Sequence, residues 1–398
     1  MRKLSAHHIA YIGLFLSGIA SAAAIPYQST IGLEILKIDQ RTYSAVIFAS
    51  GVISVFMSLL IGWHSDRSAY RSRVIIAISL LSGAGIYAFT LFGNTVIFIF
   101  CCLLFLPLTS ILTQQCFAFL RAQSVDDDNH AMEMRNASGR TSFASAWVLA
   151  PAIFIIIPFY NQADLAFLTS ASACIASAFL FMLTFDRASA KPFTNSSVNG
   201  TVPERQGLAH WAALIIPVLG CGALRAAPRL QQIIMGPIMI REFGGSLADV
   251  GYASAIAAVI ELPLILLWGK MFRYMSRPTM LFIGSLLFAV YFVALYCAQS
   301  LTAAYMASII LAFATSSTLS LTISYLQNLL PDRPGLGSSL ISVANCLGAA
   351  LAALVFALFS ETSYRECALI GGLIVASGGA AIWLWDRRVS SLRGSQRV

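Results

Sequence analysis

The chain has 398 residues, of which 58% are hydrophobic and only 11% charged, with a mean hydropathy of +0.79. Soluble globular proteins carry about 25% charged residues, so this chain lacks the polar surface of a soluble enzyme, a nucleic-acid binder or a disordered scaffold. Its net charge of +8 comes from Lys and Arg scattered in twos and threes, without the basic stripe that nucleic acid requires.

Apolar runs occur at 9–31, 43–63, 74–93, 96–120, 140–160, 164–185, 210–238, 248–269, 278–298, 301–326, 337–359 and 366–385. Each suits a membrane helix of about 20 residues and is too long for the ~10-residue alternating segments of a membrane β-barrel. The first run follows Met1-Arg2-Lys3 and contains Ala22-Ala23-Ala24, as a signal peptide would. Its apolar character continues past that tract to Ile31, so it is expected to remain as the first of twelve helices. The eight cysteines fall mostly inside apolar runs, without a C-x-x-C pair or a neighbouring histidine cluster, and read as packing residues. No cofactor or metal site is expected.

The longest polar segment, 186–209, separates runs six and seven and reads as a linker. The expected organisation is an all-α polytopic membrane protein of two pseudo-symmetric six-helix bundles, 1–185 and 210–398, the second ending in a short tail. The halves echo each other at an offset of 207: Gly62 closes run two before a basic loop as Gly269 closes run eight. Placing the N-terminus in the cytoplasm puts nineteen Lys and Arg on that side and four (Lys37, Arg41, Arg241, Arg365) on the other. This positive-inside bias predicts that both termini and the linker are cytoplasmic.

After run two the chain reads Gly62-Trp-His-Ser-Asp66-Arg67-Ser-Ala-Tyr-Arg71-Ser-Arg73. This resembles the G-x-x-x-D-R-x-G-R-R loop of the major facilitator superfamily, with Ala69 and Ser72 as departures. The resemblance implies a tight turn at Gly62 and a cytoplasmic latch of Gly62, Asp66, Arg67, Arg71, Arg73 and Arg140. Further stretches, in order, are Ala24-Ile25-Pro26, Gln115 through Arg121, Ser145 through Pro151, Ile260-Glu261-Leu262-Pro263, and Leu326 through Gly335. Together they resemble the bacterial sugar efflux transporters, which implies a multi-pass protein of the bacterial inner membrane exporting small sugars in exchange for protons. Where that resemblance implies an Asp in run seven and an Arg in run eleven, this chain has Met235 and Cys346.

Three ionisable residues fall near mid-membrane: Arg225, Arg229 and Glu261. Each costs about 2.5–3.5 kcal/mol there unless paired or hydrated. The i,i+4 spacing puts both arginines on one helix face, and the expectation is that Glu261 pairs with one of them, either as a proton carrier or as a fixed ion pair. Pro228 between them is expected to kink run seven. Candidate cavity residues, able to hydrogen-bond or stack on a sugar, are Tyr27, Gln28, Gln114, Gln115, Trp147, Gln231, Gln232, Gln327 and Asn345.

The leading functional expectation is a secondary active transporter exporting small sugars, glycosides or related polar solutes in exchange for H+. The alternatives are a multidrug/proton antiporter, disfavoured by two central arginines that repel cations, and an exporter of an anionic metabolite. Asp126-Asp127-Asp128 is the only acidic run and lies in a loop, so a membrane-embedded transferase lacks its acid clusters. The expected partners are a small-molecule substrate, H+ and the lipid bilayer, with no nucleic acid, and the expected working unit is a monomer.

Overall fold

The computed structural model describes residues 5–67, 71–123, 129–156, 162–183, 208–271, 274–329, 334–358 and 364–395. Every regular element among them is helical, giving twelve rods: α1 Ala6–Ile35, α2 Gln40–Arg67, α3 Arg71–Phe92, α4 Thr95–Ala122, α5 Asn129–Ile156, α6 Gln162–Leu183, α7 Leu208–Pro237 continued as Ile238–Glu242, α8 Leu247–Met271, α9 Arg277–Cys297, α10 Leu301–Leu329, α11 Pro334–Leu358 and α12 Tyr364–Ser395. Ten meet the length and hydropathy of a membrane span on their described residues; the other two are α5 and the arginine-bearing α7. Helices are what lipid demands, because a spanning segment must satisfy its own backbone N–H and C=O groups. The expected linker lies outside the described residues through 207, and α7 begins at Leu208.

Two compact units account for the chain. One comprises Met1–Asp39, Ala49–Asn199 and Val250–Ala258, the other Gln40–Phe48, Gly200–Asp249 and Val259–Val398. In the first, α1 packs on α4, α5 and α6, and α3 packs on α6; in the second, α7 packs on α11 and α12, and α9 on α10 and α12. The pairing scheme repeats, and so does the register. Helices α2 and α8 start 207 residues apart, as do the wide π turns Ile31–Ile35 and Ile238–Glu242. The left-handed residues that end those turns, Lys37 (φ 53°) and Gly244 (φ 66°), have the same spacing. A left-handed backbone is strained for lysine and free for glycine.

Large apolar side chains such as Phe56, Leu60, Leu91 and Leu183 are exposed, as they must be where the solvent is lipid. The interior holds buried aromatics such as Phe98, Phe119 and Phe181 and also collects small groups: Ser17, Ser21, Ser82 and Ser170 are buried, and Gly18 lies so close to α5 that a Cβ would stand 2.6 Å from the Phe143 carbonyl oxygen. With no hydrophobic drive between helices in lipid, close approach at small residues is what holds a bundle together. A third π turn, Cys101–Phe105, precedes Pro107 in α4, where the missing proline N–H interrupts the helical hydrogen-bond ladder.

Candidate functional site

The central arginines lie on α7, a helix gripped on two sides by glycine contacts. A Cβ at Gly222 would meet Leu347 of α11 at 2.8 Å, and Gly220 and Gly378 of α12 approach each other's carbonyl oxygens with Cβ positions 2.9 Å away. Three residues beyond Gly222, Gly348 of α11 abuts Arg225, with an added Cβ only 2.8 Å from the Arg225 carbonyl carbon. One turn earlier on α11, Asn345 accepts a hydrogen bond from Arg225 Nε through Oδ1 at 2.6 Å. Arg225 is half-buried and turned toward α11, while Arg229, one turn along, is exposed. Helix α7 is assigned as helix throughout, including Pro217 and Pro228.

Glu261 has another partner. It sits in α8 and accepts from Thr315 Oγ1 of α10 at 3.1 Å. The expected pairing of Glu261 with Arg225 or Arg229 is therefore corrected: among the described residues no ion pair joins it to either, because an amide on α11 and a hydroxyl on α10 take the two roles. Thr315 Oγ1 also lies 3.0 Å from the Leu311 carbonyl oxygen of its own helix. A hydroxyl has one hydrogen and two acceptor lone pairs. It can donate to an ionised Glu261, or accept from a protonated one while donating to Leu311, so both protonation states keep a partner. One residue further on, Trp268 Nε1 donates to Ser316 Oγ at 3.0 Å and locks α8 to α10.

The other cavity candidates are dispersed. Ser58 and Ser65 of α2 donate to Gln114 and Gln115 of α4 through Oε1 at 2.8 and 2.7 Å, so both amides join helices. Gln231 bonds the Tyr291 hydroxyl of α9, which also donates to Met235 Sδ at 3.8 Å. Tyr27 and Gln28 are buried, and Gln28 lies against the Cys102 thiol. Trp147 and Gln232 are half-buried. The Gln327 side chain lies outside the described residues. Asn345 is the candidate that the described side chains bring to a central charge.

The expected tight turn at Gly62 is absent, a second correction. Gly62 is helical, α2 continues to Arg67, and nothing lies within 4 Å of where a Cβ would stand. The Ser65 bond to Gln115 holds this last stretch against α4. The side chains of Asp66 and Arg67 lie outside the described residues; Arg71 is half-buried, and Arg73 and Arg140 are exposed. Sequence reading missed Thr315, although the run Thr315-Ser316-Ser317-Thr318 inside an apolar span was its signal.

At the end of α8 away from Gly269, the second unit is tied by polar bonds. Glu242 pairs with Arg365, whose guanidinium lies 5.1 Å from the Phe243 ring centre. Asp249 accepts from Ser246 N–H and Oγ at 2.6 and 2.7 Å, a capping arrangement that starts α8. Its other oxygen accepts from Tyr305 of α10 at 2.5 Å.

Twelve membrane-length helices in two repeated sets, with isolated polar groups at mid-depth, define a polytopic transporter fold. Residues 218–397 match the family model of the Major Facilitator Superfamily. A Deinococcus radiodurans protein named for sugar efflux transport is 22% identical over 381 residues, 94% of this chain and 97% of the relative. Sugar efflux transporter C of Escherichia coli K12 is 23% identical over 353 residues, 87% of each chain. Among solved structures, a peptide transporter POT in complex with sulfate superposes with a TM-score of 0.81 at 12% identity, over 97% of this chain and 95% of that one. The nucleoside transporter NupG gives 0.74 at 14% identity, over 96% and 100%. The chain is a transporter, not an enzyme, and it resembles the major facilitator superfamily and, within it, the bacterial sugar efflux transporters.

Proposed function

We propose that this protein is a secondary active exporter that moves small sugars, glycosides or related polar solutes across the bacterial inner membrane in exchange for H+, by alternating access. The names of the two full-length relatives support the solute class. The moving parts are the six-helix bundles 1–185 and 210–398, both termini lie in the cytoplasm, an orientation that the loop charges support, and the monomer is the working unit. The observation that carries the coupling is the position of Glu261: it is bonded to Thr315 and, among the described residues, to no cation. A carboxyl held by an arginine stays charged, whereas one held by a hydroxyl that can reverse its hydrogen bond can take up and release a proton.

Glu261→Gln tests this. The amide preserves size and keeps an acceptor for Thr315 but cannot exchange a proton. In proteoliposomes, solute flux driven by a pH gradient should fall to background, while exchange of labelled for unlabelled solute at equal pH persists. Gradient-driven flux at the parent rate would exclude Glu261 as the carrier.

A further inference from the structure

We propose that Arg225 and Arg229 form an oxyanion subsite, so that the solutes this protein handles include small polar molecules bearing a carboxylate or phosphate group. The inference rests on the export reading for the route the ligand takes, though binding itself can be measured independently of transport. Two central arginines are costly to place in a membrane, and such residues ordinarily meet a carboxylate. Among the described residues neither has one. Glu261, the acid at comparable depth, is engaged by Thr315 on a different helix pair.

The partner that Arg225 does have orients it without neutralising it. Asn345 is a neutral amide, and its Oδ1 takes only the Nε hydrogen. The four hydrogens on the two terminal nitrogens remain, in the planar fork that binds oxyanions through two parallel hydrogen bonds. Gly348 brings α11 against the Arg225 backbone, so this orientation is fixed by close packing as well as by the bond. Arg229 follows one turn along the same face, about 6 Å on, and its side chain is exposed. Like charges at this spacing repel. An anion between them removes that repulsion, whereas a neutral sugar satisfies hydrogen bonds and leaves both charges uncompensated.

The test uses the full-length protein in proteoliposomes and in detergent. Counterflow of labelled glucuronate and glucose 6-phosphate is compared with that of glucose, and the two anions separate carboxylate from phosphate. The parent should prefer at least one anion over glucose by about tenfold. Asn345→Asp places a fixed carboxylate on Arg225 Nε in a side chain of nearly equal size, and should abolish that preference without lowering the melting temperature. Arg229→Gln should weaken the preference and serves if the first variant does not fold. Glucose moved as well as either anion by the parent, or a preference unchanged in Asn345→Asp, would overturn the subsite while leaving sugar export intact. If nothing moves but an anion raises the parent melting temperature and not that of Asn345→Asp, the subsite stands and the export reading falls. If neither anion moves and neither shifts the melting temperature, the subsite is overturned.

Discussion

Replacing Gly348 with alanine tests the packing that places the central arginine. The added methyl would stand 2.8 Å from both the carbonyl carbon and Cβ of Arg225 and 3.0 Å from the Ala226 nitrogen, so it meets backbone and not the end of a flexible side chain. Restoring an ordinary contact of 3.4 Å requires α11 to move off α7 by roughly 0.6 Å, in a direction that the side chains cannot absorb by changing rotamer. Overpacking of this kind costs about 1–3 kcal/mol. For a unit of 150–250 residues each kcal/mol lowers the melting temperature by roughly 2–4 °C, so Gly348→Ala should melt roughly 2–12 °C below the parent in detergent. The same displacement stretches the 2.6 Å Arg225–Asn345 bond toward the limit of a good hydrogen bond, near 3.2 Å, and solute binding should weaken with stability. A variant that melts with the parent would refute the close α7–α11 crossing and the orientation of Arg225 derived from it.

The helical state of Gly62 predicts the opposite sign for its alanine variant. With open space around the Cβ position, Gly62→Ala should leave stability unchanged or raise it by about 0.4–1 kcal/mol through helix propensity, whereas a tight turn needing glycine would show a loss in the same melting experiment. Cys297 ends α9 and is exposed, while six of the other cysteines are buried and Cys346 is half-buried. With the basic loop before α9 in the cytoplasm, a membrane-impermeant maleimide should label Cys297 in intact cells, and Cys297→Ser should remove the label. Labelling only in inside-out vesicles would reverse the orientation.

Most of the fold was legible because lipid leaves few choices. Twelve apolar runs longer than a β-strand could only be helices, and the 207-residue echo between Gly62 and Gly269 reappears in the paired π turns and in Lys37 and Gly244. The helix ends were less legible. Run two was read as ending at residue 63, yet α2 continues to Arg67 because Ser65 finds a buried partner in Gln115, a contact between helices fifty residues apart. The site was legible in composition and not in pairing. Scarcity of charge singled out Arg225, Arg229 and Glu261, since any ionisable residue stands out in an apolar run. Which partner each would meet depends on helix rotation and crossing points; those around Arg225 are set by Gly222, Gly348 and Gly378, whose contacts have no signature along the chain. Opposite charge suggested a pair; the packing instead delivered Asn345 to one and Thr315 to the other. Packing between other helices likewise turns Gln114 and Gln115 to Ser58 and Ser65, and Gln231 to Tyr291, although all three are chemically suited to a sugar.

The most direct test of the account is counterflow by the purified parent protein in proteoliposomes, against labelled neutral sugars, sugar acids and lipophilic cations, each with and without a pH gradient. The account predicts that sugars or sugar acids exchange, that an imposed pH gradient drives their net movement opposite to the protons, and that the cations do not move. Movement of the cations alone, or flux of sugars indifferent to the gradient, would contradict it.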